Sequence, residues 1–150
     1  MVSAVTRILR DAQLGGVMTL EPLLDASAAI RIHAFSAVAA LAIGMIQLAA
    51  PKGTVPHRLV GWVWAALMAS VALSSFFIHQ MRWIGPFGPI HLLSLYVLFA
   101  LPLALLHGRR GDISPHARGM RGLFYGGLVL AGLFTFWPGR IMHQVLFGAP

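Results

Sequence analysis

Four long apolar stretches constrain this 150-residue chain more than any other feature, and short segments rich in proline, glycine and basic residues separate them. A helix needs about 20 residues to cross roughly 30 Å of hydrocarbon, and each stretch approaches that length. The stretches predict membrane spans over residues 28–50, 58–79, 90–107 and 119–137. Charged residues make up only 10% of the chain, whereas they are roughly 25% of a soluble domain. We therefore expect an all-α, four-helix transmembrane bundle with short loops.

The remaining segments flank this bundle, which we expect to occupy residues 28–140. Residues 1–27 mix charged and isolated apolar side chains, which predicts an interfacial or flexible N-terminal segment, and residues 141–150 predict an interfacial C-terminal tail. The chain has no cysteine, which excludes disulfides, iron–sulfur clusters and covalently attached c-type haem. Its net charge of +7 fits loops that face anionic headgroups better than it fits nucleic acid, because the chain is so apolar.

The basic residues also predict an orientation. Six of the 11 lie around the first and third loops, which share one side of a four-span bundle. Basic residues in short loops favour the cytoplasmic side, so we expect both termini to be external.

Two helix faces carry the polar side chains of the first two spans. The residues of the first face recur in steps of three and four, and this face should point into the bundle. They are His33, Ser36, Ala40, Gly44 and Gln47. On the second span, the corresponding stripe holds His57, Gly61, Trp64, Met68, Ser75 and His79. Trp62 and Trp64 also suit the aromatic belt at a membrane surface. Close helix contact is expected at two pairs of small residues, Ala40 with Gly44 and Gly122 with Gly126.

The seven histidines fall into two layers of the predicted bundle. Such layers are typical of a four-helix b-type cytochrome, because haem iron takes axial imidazoles from facing helices. We therefore predict a small haem b redox module. Its leading axial pair is His33 with His91, as ligands of the iron, and its second pair is His57 with His116.

Other interpretations remain open. Histidines near the ends of spans can meet water or headgroups, which is the simpler interpretation of His79, His107 and His143 and an equal one for His33. A His116–Met120 metal site is less favoured than simple packing of the methionine. No carboxylate lies within a predicted span, which disfavours acid hydrolases and proton-coupled carriers. The alternative function is a non-catalytic accessory subunit or a quinone- or lipid-binding membrane protein.

Several ordered motifs carry a resemblance to a known family. They are Gln47-Leu48, Pro51-Lys52-Gly53, His57-Arg58 with Gly61, the run Gly88-Pro89-Ile90-His91-Leu92-Leu93-Ser94, and His116 with Met120 and Arg121. Over roughly residues 30–140 the chain resembles a bacterial family of four-helix integral membrane proteins of unknown function. Gly119 departs from the bulkier residue expected there. The resemblance implies a bundle fold and draws attention to His33, His57, His91 and His116, but it transfers no activity, substrate or cofactor. From the sequence we expect a multi-pass protein of the bacterial inner (cytoplasmic) membrane. Its expected partners are the lipid bilayer and, for a redox function, a quinone or other membrane redox proteins.

Overall fold

The structure, a computed structural model, describes residues 19–78 and 88–147. These residues form helices and turns and contain no strand. They fall into two compact units, one of residues 27–78 with 88–131 and the other of residues 19–26 with 132–147. The helices are α1 (Glu21–Leu24), α2 (Ala28–Ala49), α3 (Val55–Ser75), α4 (Pro89–Arg110), α5 (Ile113–Gly122), a π-helical segment π1 (Leu123–Leu130), α6 (Ala131–Thr135) and α7 (Ile141–Phe147).

The larger unit is a helical bundle. Helix α2 packs on α3, α3 on α4, α4 on α5, and π1 closes the ring by packing on both α2 and α4. Helices α2 and α4 therefore face each other across the bundle, as do α3 and α5. The buried core between them consists of Ala40, Trp64, Ala65, Met68, Ala72, Val97, Leu101, Ala104, Leu123, Phe124 and Leu128. The all-helical bundle predicted from the sequence is confirmed.

Local chemistry explains where these helices begin and end. The Ser27 hydroxyl accepts a hydrogen bond from Ile30 N at the start of α2, and the Thr54 hydroxyl accepts one from His57 N at the start of α3. Gly111 ends α4 in the left-handed conformation, with φ of 83°, which a residue with a side chain rarely adopts. Lys52 Nζ completes the end of α2 by donating to the carbonyls of Gln47, Leu48 and Ala50 over 2.6–2.8 Å.

The predicted number of helices was wrong. The described residues form six continuous helical stretches rather than four, because α1 and α7 are separate short helices and α5, π1 and α6 follow one another without a break. Three described helices are long and apolar enough to cross a membrane: Ala28–Ala49, Val55–Ser75 and Ile90–Arg110. The fourth predicted span, 119–137, instead belongs to the stretch that changes from α to π geometry at Leu123, and its α-helical start carries two arginines.

Several predicted boundaries also moved. Helix α3 covers Val55–Ser75 rather than 58–79, so His57 lies in its first turn, and His79 lies outside the described residues. Helix α4 extends to Arg110, which places His107 in its last turn. Helix α5 begins at Ile113, six residues before the predicted start of the fourth span, and His116 lies in its first turn.

The smaller unit is held together by its own contacts. Thr19 N donates to Val145 O over 3.1 Å, and α1 packs on α7. His143 Nδ1 lies 3.0 Å from Phe136 O, and its ring contacts Phe147. The interfacial placement of residues 1–27 and 141–150 stays a prediction.

Candidate functional site

The inward face predicted for the first span makes polar and close packing contacts with the neighbouring helices. Each of its five residues meets α3 or π1, through His33 at Val71, Ser36 at Ser70, Ala40 at Trp64, Gly44 at Phe124 and Trp64, and Gln47 at His57. Trp64 is buried and its indole N–H donates to Ala40 O over 2.9 Å, so its predicted place in the interfacial belt was wrong. The physical reason is that an interior carbonyl satisfies the indole N–H as well as water would.

His57 is held by two hydrogen bonds with one side chain. Gln47 Nε2 donates to His57 O over 2.8 Å, and Gln47 Oε1 lies 2.8 Å from His57 Nδ1. An amide oxygen only accepts, so His57 Nδ1 carries the hydrogen of this bond. The neutral ring consequently keeps its lone pair on Nε2.

His116 is held in the same way by a different acceptor. Its Nδ1 lies 2.8 Å from Ala104 O on α4, and a backbone carbonyl can only accept, so Nδ1 donates here too. Gly108 makes room for the ring, because a Cβ at that position would lie 2.8 Å from His116 Nδ1. The lone pair of neutral His116 is again on Nε2.

His57 and His116 belong to one end of the bundle. They lie in the first turns of α3 and α5, and both of these helices pack on α4. Lys52 is a neighbouring charge for His57. The structure thus brings together the pair that the sequence placed second.

His33 lies at the opposite end. Its Nδ1 lies 2.9 Å from Val71 O and 3.3 Å from Ser74 Oγ, both on α3. Because the carbonyl of Val71 accepts, His33 Nδ1 donates, as His57 and His116 do.

His91 belongs to the same end, since its ring contacts that of Phe76, just beyond α3, at a centroid distance of 5.8 Å. Its hydrogen bonding is reversed. The ring is buried, and Nδ1 accepts the backbone N–H of Gly88 over 3.0 Å, which caps the start of α4. A nitrogen that accepts carries no hydrogen, so the neutral His91 ring has its hydrogen on Nε2.

The other described histidines have local partners. His107 Nδ1 lies 3.2 Å from Asp112 Oδ2 at an exposed position, and His143 belongs to the smaller unit. Met120 packs against the apolar core, as the packing interpretation predicts. Within the described ranges, no group of three or more histidine and acidic side chains is arranged to hold a metal ion.

Sequence reasoning missed one rule that positions the site. Three of the carbonyls that accept side-chain donors from a neighbouring helix are followed four residues later by glycine: Ala40 with Gly44, His57 with Gly61, and Ala104 with Gly108. A side chain at the fourth residue lies beside the carbonyl one turn earlier, so glycine there opens the carbonyl to a second donor. The signal was present in the sequence as a glycine one turn after each acceptor.

Gly126, by contrast, does not mark a close contact. A Cβ added there meets no heavy atom of another element within 4 Å, whereas one added at Gly44 would lie 2.6 Å from the Phe124 ring. The predicted packing role of the Gly122–Gly126 pair was therefore wrong at Gly126, because an added side chain there would meet open space rather than a neighbouring helix.

Comparison with known proteins identifies the family. No curated protein and no solved structure matches the chain significantly. The model of a family described as "Predicted membrane protein (DUF2306)" matches residues 30–146, which include all four histidines predicted as site residues. This match confirms the resemblance inferred from the ordered motifs. The three long apolar helices agree with the family's description as a membrane protein. The chain therefore belongs to the DUF2306 family of membrane proteins, whose function is unknown.

Proposed function

We propose that the larger unit binds a b-type haem through His57 and His116 and acts as a one-electron redox module of the membrane. One observation carries this proposal. Both rings have Nδ1–H donating to a fixed oxygen of the protein, Gln47 Oε1 and Ala104 O, each at 2.8 Å. Histidines that bind metals almost always donate their second ring N–H in this way, which fixes the ring and makes the other nitrogen more basic.

The helices that carry the two rings also suit this ligand. A macrocycle inserted between two axial imidazoles separates the backbones that carry them, so axial ligands suit helices that face each other rather than neighbours in close contact. Helices α3 and α5 have this relation, with α4 between them. Haem iron would supply the one-electron chemistry, and a membrane quinone or another membrane redox protein would exchange the electron.

The hydrogen bonds reverse the ranking of the two pairs made from the sequence. His33 has the same donor arrangement as His57, but His91 accepts at Nδ1 from Gly88. Coordination through His91 Nε2 would require that nitrogen to lose its hydrogen and Gly88 N–H to lose its acceptor. The pair His33 and His91 is therefore the second site of the proposal.

A second candidate is the binding of a quinone or lipid without catalysis. An open groove of about 650 Å³ lies between α2 and α3. Its walls are apolar, with Ile32, Leu73 and Phe77 among them, and two hydroxyls, those of Ser70 and Ser74, line it. A hydrocarbon chain beside a small polar head fits this lining.

An absorption spectrum tests the haem proposal. Full-length protein, expressed with excess haem and purified in detergent, is expected to show a Soret band and a sharp reduced-minus-oxidised α band. His57→Ala and His116→Ala should each remove the bis-histidine signal of this site, and any signal that remains would come from the pair His33 and His91. Matched controls are His107→Ala and His143→Ala, which remove histidines outside the site and should leave the spectrum unchanged. Colourless protein under these conditions would reject the proposal in favour of the second candidate.

A further inference from the structure

The outward face of α5 is polar where its surroundings are apolar. Ser114, Arg118, Arg121 and Tyr125 follow one another at steps of four, three and four, so they share one face, and all four are exposed. The face continues from α5 onto π1.

Packing against α4 fixes how deep these arginines lie. Gly108 lies beside His116, and a Cβ at Gly119 would lie 2.8 Å from Ala104 Cβ, so the two helices run antiparallel with these residues level. Arg118 and Arg121 are then level with residues 102–106, about 7 and 11 Å from the end of α4 at a rise of 1.5 Å per residue. Leu103 and Leu106 of α4, at this depth, are exposed apolar side chains that suit contact with lipid.

Within the larger unit as the structure describes it, the two guanidinium groups have no acidic neighbour to neutralise them. Asp112 is the only acidic residue between positions 27 and 131, and it pairs with His107. Among the described residues, no ion pair or side-chain hydrogen bond involves Arg118 or Arg121. A charged group at the apolar level of a membrane is costly unless an opposite charge or water reaches it, and arginine extends toward the surface to meet one.

We propose that Arg118 and Arg121 form a binding site for the phosphate of an acidic phospholipid. Side chains three residues apart on a helix are neighbours, about 5–6 Å apart at Cβ. Two planar guanidinium groups can therefore donate to the oxygens of one phosphate. The acyl chains of the same lipid would lie on the exposed leucines of α4, which a soluble phosphate would leave uncovered.

The test measures lipid binding to purified full-length protein in neutral detergent at 0.15 M salt. Phosphatidylglycerol and phosphatidylcholine with the same acyl chains are titrated, and bound lipid is counted by native mass spectrometry. The wild-type protein should prefer phosphatidylglycerol by on the order of tenfold or more. Inorganic phosphate at the same concentration should not displace the lipid.

Charge-matched variants locate the site. The double variant Arg118→Gln/Arg121→Gln should lose the preference. Arg109→Gln/Arg110→Gln removes the same charge from the end of α4 and should keep the preference to within about twofold, because these arginines lie nearer the surface, where salt screens exposed charges over a length of about 8 Å. Equal losses in both double variants would overturn the proposal, as would equal binding of the two lipids by the wild type. If the first double variant does not fold, Arg118→Lys/Arg121→Lys replaces it. Lysine keeps the charge but loses the planar fork, so this variant should show a reduced preference.

Discussion

The two ends of the bundle carry the same kind of residue in different chemical states. At the end formed by the starts of α3 and α5, both histidines donate from Nδ1 to a fixed oxygen. At the other end, His33 donates to Val71 O but His91 accepts from Gly88 N. Both pairs join helices that face each other across the bundle. The hydrogen-bond partner therefore decides which ring nitrogen is left for a ligand, and position across the bundle alone does not.

The two ends of the bundle also differ in the residue that keeps the accepting carbonyl accessible. A side chain that donates to a helix carbonyl needs that carbonyl to be accessible, and at the first end Gly108 provides this for His116, since a Cβ there would lie 2.8 Å from His116 Nδ1. At the second end, the residue four beyond Val71 is Ser75, which is fully buried and contacts Ser94 on α4 through its hydroxyl. A small side chain replaces glycine there, and it links α3 to α4 as well.

The largest expected effect comes from a change in the middle of the bundle, which both ends share. In Gly44→Ala, the added methyl would lie 2.6 Å from two ring carbons of Phe124 and 2.8 Å from Trp64 Nε1. Overpacking together with loss of the Trp64–Ala40 bond should lower the free energy of unfolding by about 3 kcal/mol. Unfolding in mixed detergent measures this. Gly126→Ala is the control, since an added Cβ there meets open space; equal destabilisation by both changes would contradict the packing described.

A change at Gly108 should break the first end alone. A Cβ in Gly108→Ala would lie 2.8 Å from His116 Nδ1, so the ring must leave Ala104 O, at a cost of about 2 kcal/mol. Under the haem proposal, the spectrum assigned to His57 and His116 should weaken as well. The matched control is Gly61→Ala at the same end, where the added Cβ would lie 3.5 Å from Gln47 Nε2, an ordinary contact distance. A Gly108→Ala protein with unchanged stability and spectrum would show that His116 does not need this position.

Gln47 tests the comparison further because, among the described residues, its side chain forms hydrogen bonds only with His57. Gln47→Leu removes both hydrogen bonds and should cost about 1.5 kcal/mol of stability. It should also weaken haem binding by about 10- to 100-fold, as expected when the partner of a metal-binding histidine is lost. Gln47→Glu keeps an acceptor for His57 Nδ1 and should retain more of the affinity than Gln47→Leu does. If the two variants bind haem equally well, the hydrogen bond to Nδ1 is not what prepares His57.

Much of this arrangement could be read from periodicity. The inward face of α2 was correct at every position because steps of three and four on a helix leave no freedom about which residues align. Span length, which the thickness of hydrocarbon fixes, correctly predicted that His33 and His91 lie at one end of the larger unit and His57 and His116 at the other. The predicted fourth span began at residue 119, later than α5, because the arginines lower the local hydropathy although the backbone is already helical from Ile113.

Hydrogen-bond direction could not be read in the same way. The run from Gly88 to Ser94 does not show whether His91 donates from its ring or accepts the N–H of Gly88 and caps its own helix. A histidine of either kind can lie three residues after a break in the helical pattern. That choice depends on whether the N–H of Gly88 meets the ring, which is a matter of side-chain rotamer. Similarly, the sequence does not show whether the indole N–H of Trp64 meets Ala40 O in the core or water at the membrane surface.

The smallest expected effect separates a capping role from a ligand role at His91. His91→Ala removes the acceptor for Gly88 N–H at the start of α4 and should cost about 1 kcal/mol, typical of a lost cap. Glutamine at the same position of a helix can reach back to this N–H, so His91→Gln should recover most of that stability. Glutamine is no substitute for an axial imidazole. A protein that keeps its stability in His91→Gln but loses a haem signal would identify His91 as a ligand, and one that keeps both would leave it as the cap of α4. Thermal unfolding and the absorption spectrum of the two variants, recorded on the same preparations, distinguish these outcomes.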